Sequence, residues 1–321
     1  MPNSFSTRLL TSLLIIGSVT GGWFVTQVFD YPASKQNSGA SQFVQDDLQP
    51  QNLEKQWIVS GVQGQKLLEN GAVLLDTRSC RILLCRNPLN ALDVKWQDFS
   101  QSEFPHWGKL LTDKQVLSQK LQSLGIDKDK PVIVAGNPKS GWGENGRIVW
   151  MLRTLGHTQA VLVDGGYSAL VAVESNRTKQ ENKGNFVVEK RDDWLVNKEE
   201  LKELIKEENI VIIDSRSPRE YAGRNPHGEP RGGHIPRAIN LHYREFMDDL
   251  GKLRSRETIL AELAAKGISP EDQIVIYCTG GVRSAWLTVV LADLGFNAQN
   301  YAGSMWEWSA GDEKDYPLLS K

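Results

Sequence analysis

The residues best suited to chemistry are Cys278 to Ser284, Cys-Thr-Gly-Gly-Val-Arg-Ser, which follow the β-branched run Gln273 to Tyr277 and precede the apolar stretch AWLTVVLADLG. Two adjacent glycines let the backbone curl so that several N–H groups face one point, an anion-binding nest. The helix that begins there adds the positive end of its dipole. A cysteine at the start of such a turn has its thiolate favoured. Arg283, five positions on, is a permanent cation whose planar fork suits an oxyanion and can swing over the rim. The expectation is a nucleophilic sulfur, Cys278, in a cup of Thr279, Gly280, Gly281, Val282, Arg283 and Ser284 that binds negative charge. A lone cysteine is ordinarily an inert small hydrophobe, a role that gives no reason for a place at a strand end ahead of two glycines and an arginine.

Short β-branched runs such as Ile210 to Ile213 and Gln273 to Tyr277 alternate with segments of helical period, Lys198 to Lys206 and Thr258 to Lys266 among them. Continuous apolar strands bounded by helices predict an α/β fold with a parallel sheet covered on both faces. In such sheets ligands sit beyond the carboxyl ends of strands, where Cys278 falls. The chain also repeats itself with an offset near 138, too long for a solenoid and right for a duplicated domain. VLLDTRS, with Asp76 and Arg78, answers VIIDSRS, with Asp214 and Arg216; ALDVKWQDF from Ala91 answers AINLHYREF from Ala238; VIVAG ending at Gly136 answers IVIYC ending at Cys278. Two tandem α/β domains are therefore expected, 53–173 and 186–321, joined by a polar linker at 174–185. Aligning the helices after the two loops makes the first loop three residues longer, 142 − 139 = 3, and sets Glu144 opposite Arg283. Without nucleophile or cation, the first copy is expected to be catalytically silent.

Lysine and arginine number 37 and acidic residues 39, so the formal net charge is 37 − 39 = −2. Such a balance makes no electrostatic case for nucleic acid or an acidic membrane surface as partner. Hydrophobic residues at 40%, charged residues at 24% and a mean hydropathy of −0.38 exclude a disordered or polytopic chain. Three cysteines are too few for a disulfide scaffold, and five scattered histidines lack zinc spacing, so no metal or other cofactor is expected. Residues 1–30 differ. Leu9 to Val28 is uncharged over twenty residues and is preceded by Arg8, a run that spans a bilayer and puts the rest on the extracytoplasmic side. A cleaved signal peptide, with its shorter apolar region, is the competing reading; either way the globular part is exported, behind a polar tether at 31–52. Cys80 and Cys85 in SCRILLC then have spacing and surroundings that permit a disulfide, and two packed free thiols fit equally.

Together these features resemble the rhodanese family of sulfurtransferases, in its two-domain form with an inactive amino-terminal copy. The resemblance runs from about Trp57 to the end and is carried by Asp214 to Arg216, GHIPRAIN from Gly233, the loop Cys278 to Ser284, and YAGSMWEW from Tyr301. It implies that Cys278 takes a sulfane sulfur from a small donor such as thiosulfate and passes it to a thiophilic acceptor, cyanide or a thiol, including a thiol-carrying protein. It implies also that Asp214 and Arg216 form a pair propping the loop, and that His234 orders a turn. Many mercaptopyruvate-type members carry an arginine where this chain has Glu220, so thiosulfate is expected as donor over mercaptopyruvate, whose carboxylate Glu220 would repel. Arg237 stands where the family has a small residue. Trp142, Trp306 and Trp308 either line an interdomain cleft or pack at the interface. Three other readings stay open: a mercaptopyruvate sulfurtransferase, a non-enzymatic persulfide carrier or docking module, and a cysteine phosphatase of the same architecture. The last needs a wider loop than the four residues Thr279 to Val282 between Cys278 and Arg283.

Overall fold

The computed structural model describes residues 53–78, 87–171 and 183–320. The apolar run 9–28, the tether 31–52 and Cys80 and Cys85 lie outside the described residues. The first half contains β1 (Ile58–Val59), α1 (Gly61–Glu69), β2 (Val73–Asp76), β3 (Leu92–Asp93), α2 (Lys114–Ser123), β4 (Val132–Ala135), α3 (Glu144–Thr154), β5 (Ala160–Val163) and α4 (Gly166–Val171). The second contains β6 (Leu195–Val196), α5 (Lys198–Leu204), β7 (Ile210–Asp214), α6 (Pro218–Tyr221), β8 (Ile239–Asn240), α7 (Arg256–Ala265), β9 (Gln273–Tyr277), α8 (Val282–Asp293), β10 (Asn297–Tyr301) and α9 (Ser304–Trp308). Each half forms one five-stranded sheet, ordered β1-β5-β4-β2-β3 and β6-β10-β9-β7-β8, with every strand pairing parallel. The shared strand order makes the two halves copies of one α/β unit, as the sequence repeat implies.

The period-two alternation of a strand sends neighbouring side chains to opposite faces, and here both faces are buried. Leu75, Val134 and Leu162 enter one core, while Leu74, Ile133 and Val161 enter another. In the second half Ile213, Ile274 and Ile276 join the same core as Leu75, whereas Ile212, Val275 and Tyr277 pack into a third. One core is thus shared between the halves, and α3 and α8 run through it. Gly143, which caps α3, and Gly146 within it lie so close to Trp286 of α8 that a Cβ would come within 2.7 and 2.5 Å of it. That close approach fixes how the two strand ends, and so the two loops, face each other.

Three boundaries differ from expectation. Helix α5 ends at Leu204, before Lys206, and α7 starts at Arg256 because Ser255 caps it, its Oγ accepting from Thr258 N. Residues 184–191 belong with the first half. Gly184, Phe186 and Glu189 donate backbone bonds to Gln122, Ile126 and Leu155, and Phe186 and Val188 are buried. Burial of those two apolar side chains moves the passage between halves beyond Arg191, six residues later than the linker at 174–185 ends.

Candidate active site

Strand β9 delivers Cys278 to the carboxyl edge of the second sheet, beside β7. Asp214 at the end of β7 pairs in register with Tyr277, and Ser215 donates both its N–H and its hydroxyl to the Tyr277 carbonyl. Arg216 closes on Asp214 through Nε and Nη2 at 2.6–3.1 Å and donates to Gly233 O at 2.7 Å. Asp76 and Arg78 make the same pair in the first half. His234 stacks on Tyr221 with centroids 3.7 Å apart, and its backbone pairs with Leu319; it orders the turn. Arg237 takes a left-handed φ of +64°, a conformation that favours glycine, and donates to the carbonyls of Ile205, Glu207 and Glu208.

The loop then curls as its glycines require. Gly281 has φ +75° and precedes α8, and a Cβ on Gly280 would lie 2.0 Å from the Trp306 ring. The Gly281 N–H donates to Cys278 Sγ at 3.1 Å and the Ser284 hydroxyl at 3.4 Å. Ser304 Oγ, at the start of α9, accepts from Cys278 N. Burial pushes the Cys278 thiol up. The Arg283 guanidinium, the Ser284 hydroxyl and the amides of Ser284 and Gly280 outweigh it and hold the thiol below its ordinary value.

Arg283 does not swing over the rim. It is 4% exposed and bound to Glu220 by Nη1–Oε2 and Nη2–Oε1 bonds of 2.9 and 2.8 Å. Glu220 is fixed in turn by the N-terminal cap of α6, where it bonds Ser217 N and Oγ. Burial raises its pKa, and Arg283 and Ser217 overcome this to hold it at about 2. Thr279 Oγ1 accepts from Arg283 Nη2 at 2.8 Å and donates to Glu229 at 3.0 Å. The expectation of a free cation over the cup, with Glu220 apart from it, is therefore corrected: the two form one buried ion pair.

Above Cys278 lies a cleft of about 290 Å3 that draws on both halves. Val282, Thr279, Gly280, Arg283, His227 and Trp306 come from the second, and Trp96, Gln97, Trp142 and Glu144 from the first. Trp142 meets the His227 ring edge-on, centroids 5.4 Å apart. Trp308 is not part of this wall; it is fully buried against Tyr316.

Residues 197–311 match the model of the Rhodanese-like domain. The thiosulfate sulfurtransferase of Corynebacterium glutamicum is 32% identical over 211 residues, covering 61% of this chain and 69% of that protein. The chain belongs to the rhodanese family of sulfurtransferases. The thiosulfate sulfurtransferase of Azotobacter vinelandii is 29% identical over 209 residues, 64% of this chain and 75% of that one. Among solved structures, SseA from Escherichia coli, described as a 3-mercaptopyruvate sulfotransferase, superposes with a TM-score of 0.62 over 78% of this chain and 98% of its own at 23% identity, a likeness of fold. This rhodanese is an enzyme that moves sulfane sulfur from a donor such as thiosulfate to a thiophilic acceptor through a cysteine persulfide.

The first half of this rhodanese has no sulfur at the matching strand end, and its loop differs more than the gapless alignment implies. Gly143 caps α3 in the left-handed conformation as Gly281 caps α8, so the loop is 142 − 138 = 4 residues longer and Asn145, not Glu144, stands opposite Arg283. Arg244 donates to the carbonyls of Pro138, Lys139 and Gly141, and Tyr243 to that of Gly141. Sequence reasoning missed Trp96, Gln97, His227, Glu229 and Ser304. The repeat held a signal for the first two, because Trp96-Gln97 answers Tyr243-Arg244: each pair covers the loop of the opposite half.

Proposed function

We propose that Cys278 is the sulfur-carrying nucleophile and that thiosulfate loads it. The thiolate attacks the outer sulfur of thiosulfate, the S–S bond breaks with its electron pair leaving on sulfite, and the outer sulfur stays on Cys278 as a persulfide. A thiolate or cyanide then attacks that outer sulfur and the pair returns to Sγ. The observation that carries this reading is Sγ held at 3.1 Å by the Gly281 amide at the start of α8, on the floor of a cleft. The amides and the helix end supply the positive field for both the thiolate and the departing sulfite. Thr279, Gly280, Val282 and Ser284 shape the cup, Arg283 sets its field together with Glu220, and Asp214 and Arg216 hold the strand behind it. The first half contributes walls and no nucleophile.

Incubation with thiosulfate should add the mass of one sulfur atom to the Cys278 peptide, and cyanide should release it as thiocyanate. Cys278→Ser should take up nothing while keeping its melting temperature. Sulfur uptake by that variant, or none by the wild type, overturns the reading. Loading without turnover on cyanide or small thiols would mark a carrier instead.

The uncharged run 9–28 behind Arg8 supports an exported protein held on the extracytoplasmic face by an N-terminal helix. Amino-terminal sequencing of the membrane-bound fraction should find residues 9–28 retained. A mature chain starting downstream of Ala40 would replace the anchor with a cleaved signal.

A further inference from the structure

Arg147 is an arginine of the nucleophile-free half that lies fully buried in the seam. Its Nη1 donates to the carbonyl of Gly281 at 3.1 Å, and its Nη2 donates to Gly108 O at 2.6 Å and Ser100 Oγ at 3.2 Å. Gly281 is the residue whose N–H donates to Cys278 Sγ. Gly108 packs so tightly on the active loop that a Cβ there would lie 2.5 Å from Gly280 O. Arg147 thus pins the loop from behind at the residue that holds the sulfur.

All its hydrogen bonds go to neutral oxygens, and among the described residues no carboxylate forms an ion pair with it. A buried guanidinium without a counter-charge is costly. Burial drives Arg147 down to about 9, and the one opposing charge is the Cys278 thiolate. The other charged and titratable groups around Cys278 are Arg283 on α8, Glu220 on α6, His227 and Glu229 on the following loop, and Glu144 at the start of α3. Behind them lie the closed pairs Asp214–Arg216 and Glu307–Lys109. Arg283 is the stronger single charge on the thiol, and it is itself paired with Glu220. Arg147 is a second cation, faced by the Trp150 ring at 4.6 Å and by no carboxylate among the described residues.

From these contacts we infer that Arg147 is a positioning residue for sulfur transfer: the half without a nucleophile anchors the Gly281 amide that faces the Cys278 thiolate and adds a second positive charge behind it. This rests on Cys278 being the nucleophile.

The test is the pH dependence of Cys278 alkylation by iodoacetamide, followed by peptide mass in the full chain, with donor loading measured separately. Arg147→Gln removes the charge. Ser100→Asp keeps the arginine and cancels its charge with a carboxylate placed at the oxygen that Nη2 now contacts. Both should move the titration upward, slowing alkylation about tenfold below the wild-type midpoint and leaving rates equal at high pH. Ser100→Ala should keep the wild-type midpoint, since the arginine and its charge survive. If Arg147→Gln does not fold, Ser100→Asp decides. A wild-type midpoint in either charge-cancelling variant overturns the inference, as does a Ser100→Ala midpoint shifted as far as that of Ser100→Asp. Failure of the underlying reading would look different: wild-type Cys278 would titrate but take no sulfur from thiosulfate.

Discussion

Arg283 and Glu220 are joined by two hydrogen bonds of 2.9 and 2.8 Å with both side chains buried. Charge at the mouth of the cup is therefore set by the pair. A lone Arg283 would attract a thiosulfate dianion strongly at short range; with Glu220 bonded to it, the amides and the α8 dipole carry most of the attraction. Glu220→Gln keeps the cap on α6 through its amide oxygen and frees the cation. It should raise kcat/KM for thiosulfate about 3- to 10-fold, mainly through KM. Steady-state kinetics over a thiosulfate series checks this, and an unchanged or higher KM would show that the carboxylate does not oppose the donor.

The same pair governs part of the acid stability. Glu220 is held at about 2 against an ordinary 4.5. A carboxyl whose folded pKa is depressed contributes stability that is present above the unfolded value and lost as pH falls through the folded one. The contribution is at most about 3 kcal/mol. The stability gap between wild type and Glu220→Gln should be full at pH 7 and shrink steadily below 4.5 towards 2. Guanidinium melts of both proteins at matched pH read it directly, because the remaining carboxyls titrate alike in each. A gap that does not change with pH would mean that the glutamate acts through packing.

What was legible in the sequence depended on the range of the interaction. Strands β7 and β9 and the turn at Gly280-Gly281 follow from local pattern, and the strand order of the halves follows from the repeat. The candidate site at Cys278 was legible for the same reason: the cysteine and the six residues of its loop are consecutive. The Arg283–Glu220 pair was not, since 63 residues separate its members and the capping box that fixes Glu220 reads as ordinary helix chemistry. Trp308 was misplaced because the spacing Trp306-x-Trp308 cannot say which ring faces the cleft. Arg147 carried no signal at all; on a helix of eleven residues an arginine reads as solvated surface, and its partners Ser100, Gly108 and Gly281 are 39 to 134 residues away.

Gly280 is a steric requirement. A methyl group there would lie 2.0 Å from the Trp306 ring, whose Nε1 is tied to His227 O at 2.9 Å. Gly280→Ala should lose stability by about 1–3 kcal/mol and sulfur-transfer activity by more than about tenfold, because the loop and the cleft wall cannot both stay in place. Trp306→Leu in the same chain should recover most of the stability, a coupling that a double-mutant cycle measures. Additive losses would show that the ring moves freely and that some other contact limits the loop.

The loop of the first half offers a last test, since it inverts the chemistry of the second. Around Cys278 the backbone turns an amide toward sulfur. Between Gly136 and Gly143 it instead turns the carbonyls of Pro138, Lys139 and Gly141 toward the cation of Arg244. Carbonyl oxygens repel a thiolate where amides attract one. A Cβ on Gly136 would also meet Thr77 Oγ1 at 2.6 Å. Installing the missing sulfur should therefore not be enough: Gly136→Cys in a Cys278→Ser chain should take up no sulfur from thiosulfate and show no thiocyanate formation. Its thiol should alkylate with the pH dependence of an unactivated cysteine, near pKa ~8.5. Adding Arg244→Ala would remove the cation but supply no amide toward the new sulfur, so sulfur uptake should still be absent. Uptake in the single variant would mean that a strand end alone activates the thiol and that the amide-lined turn at Gly280-Gly281 is dispensable.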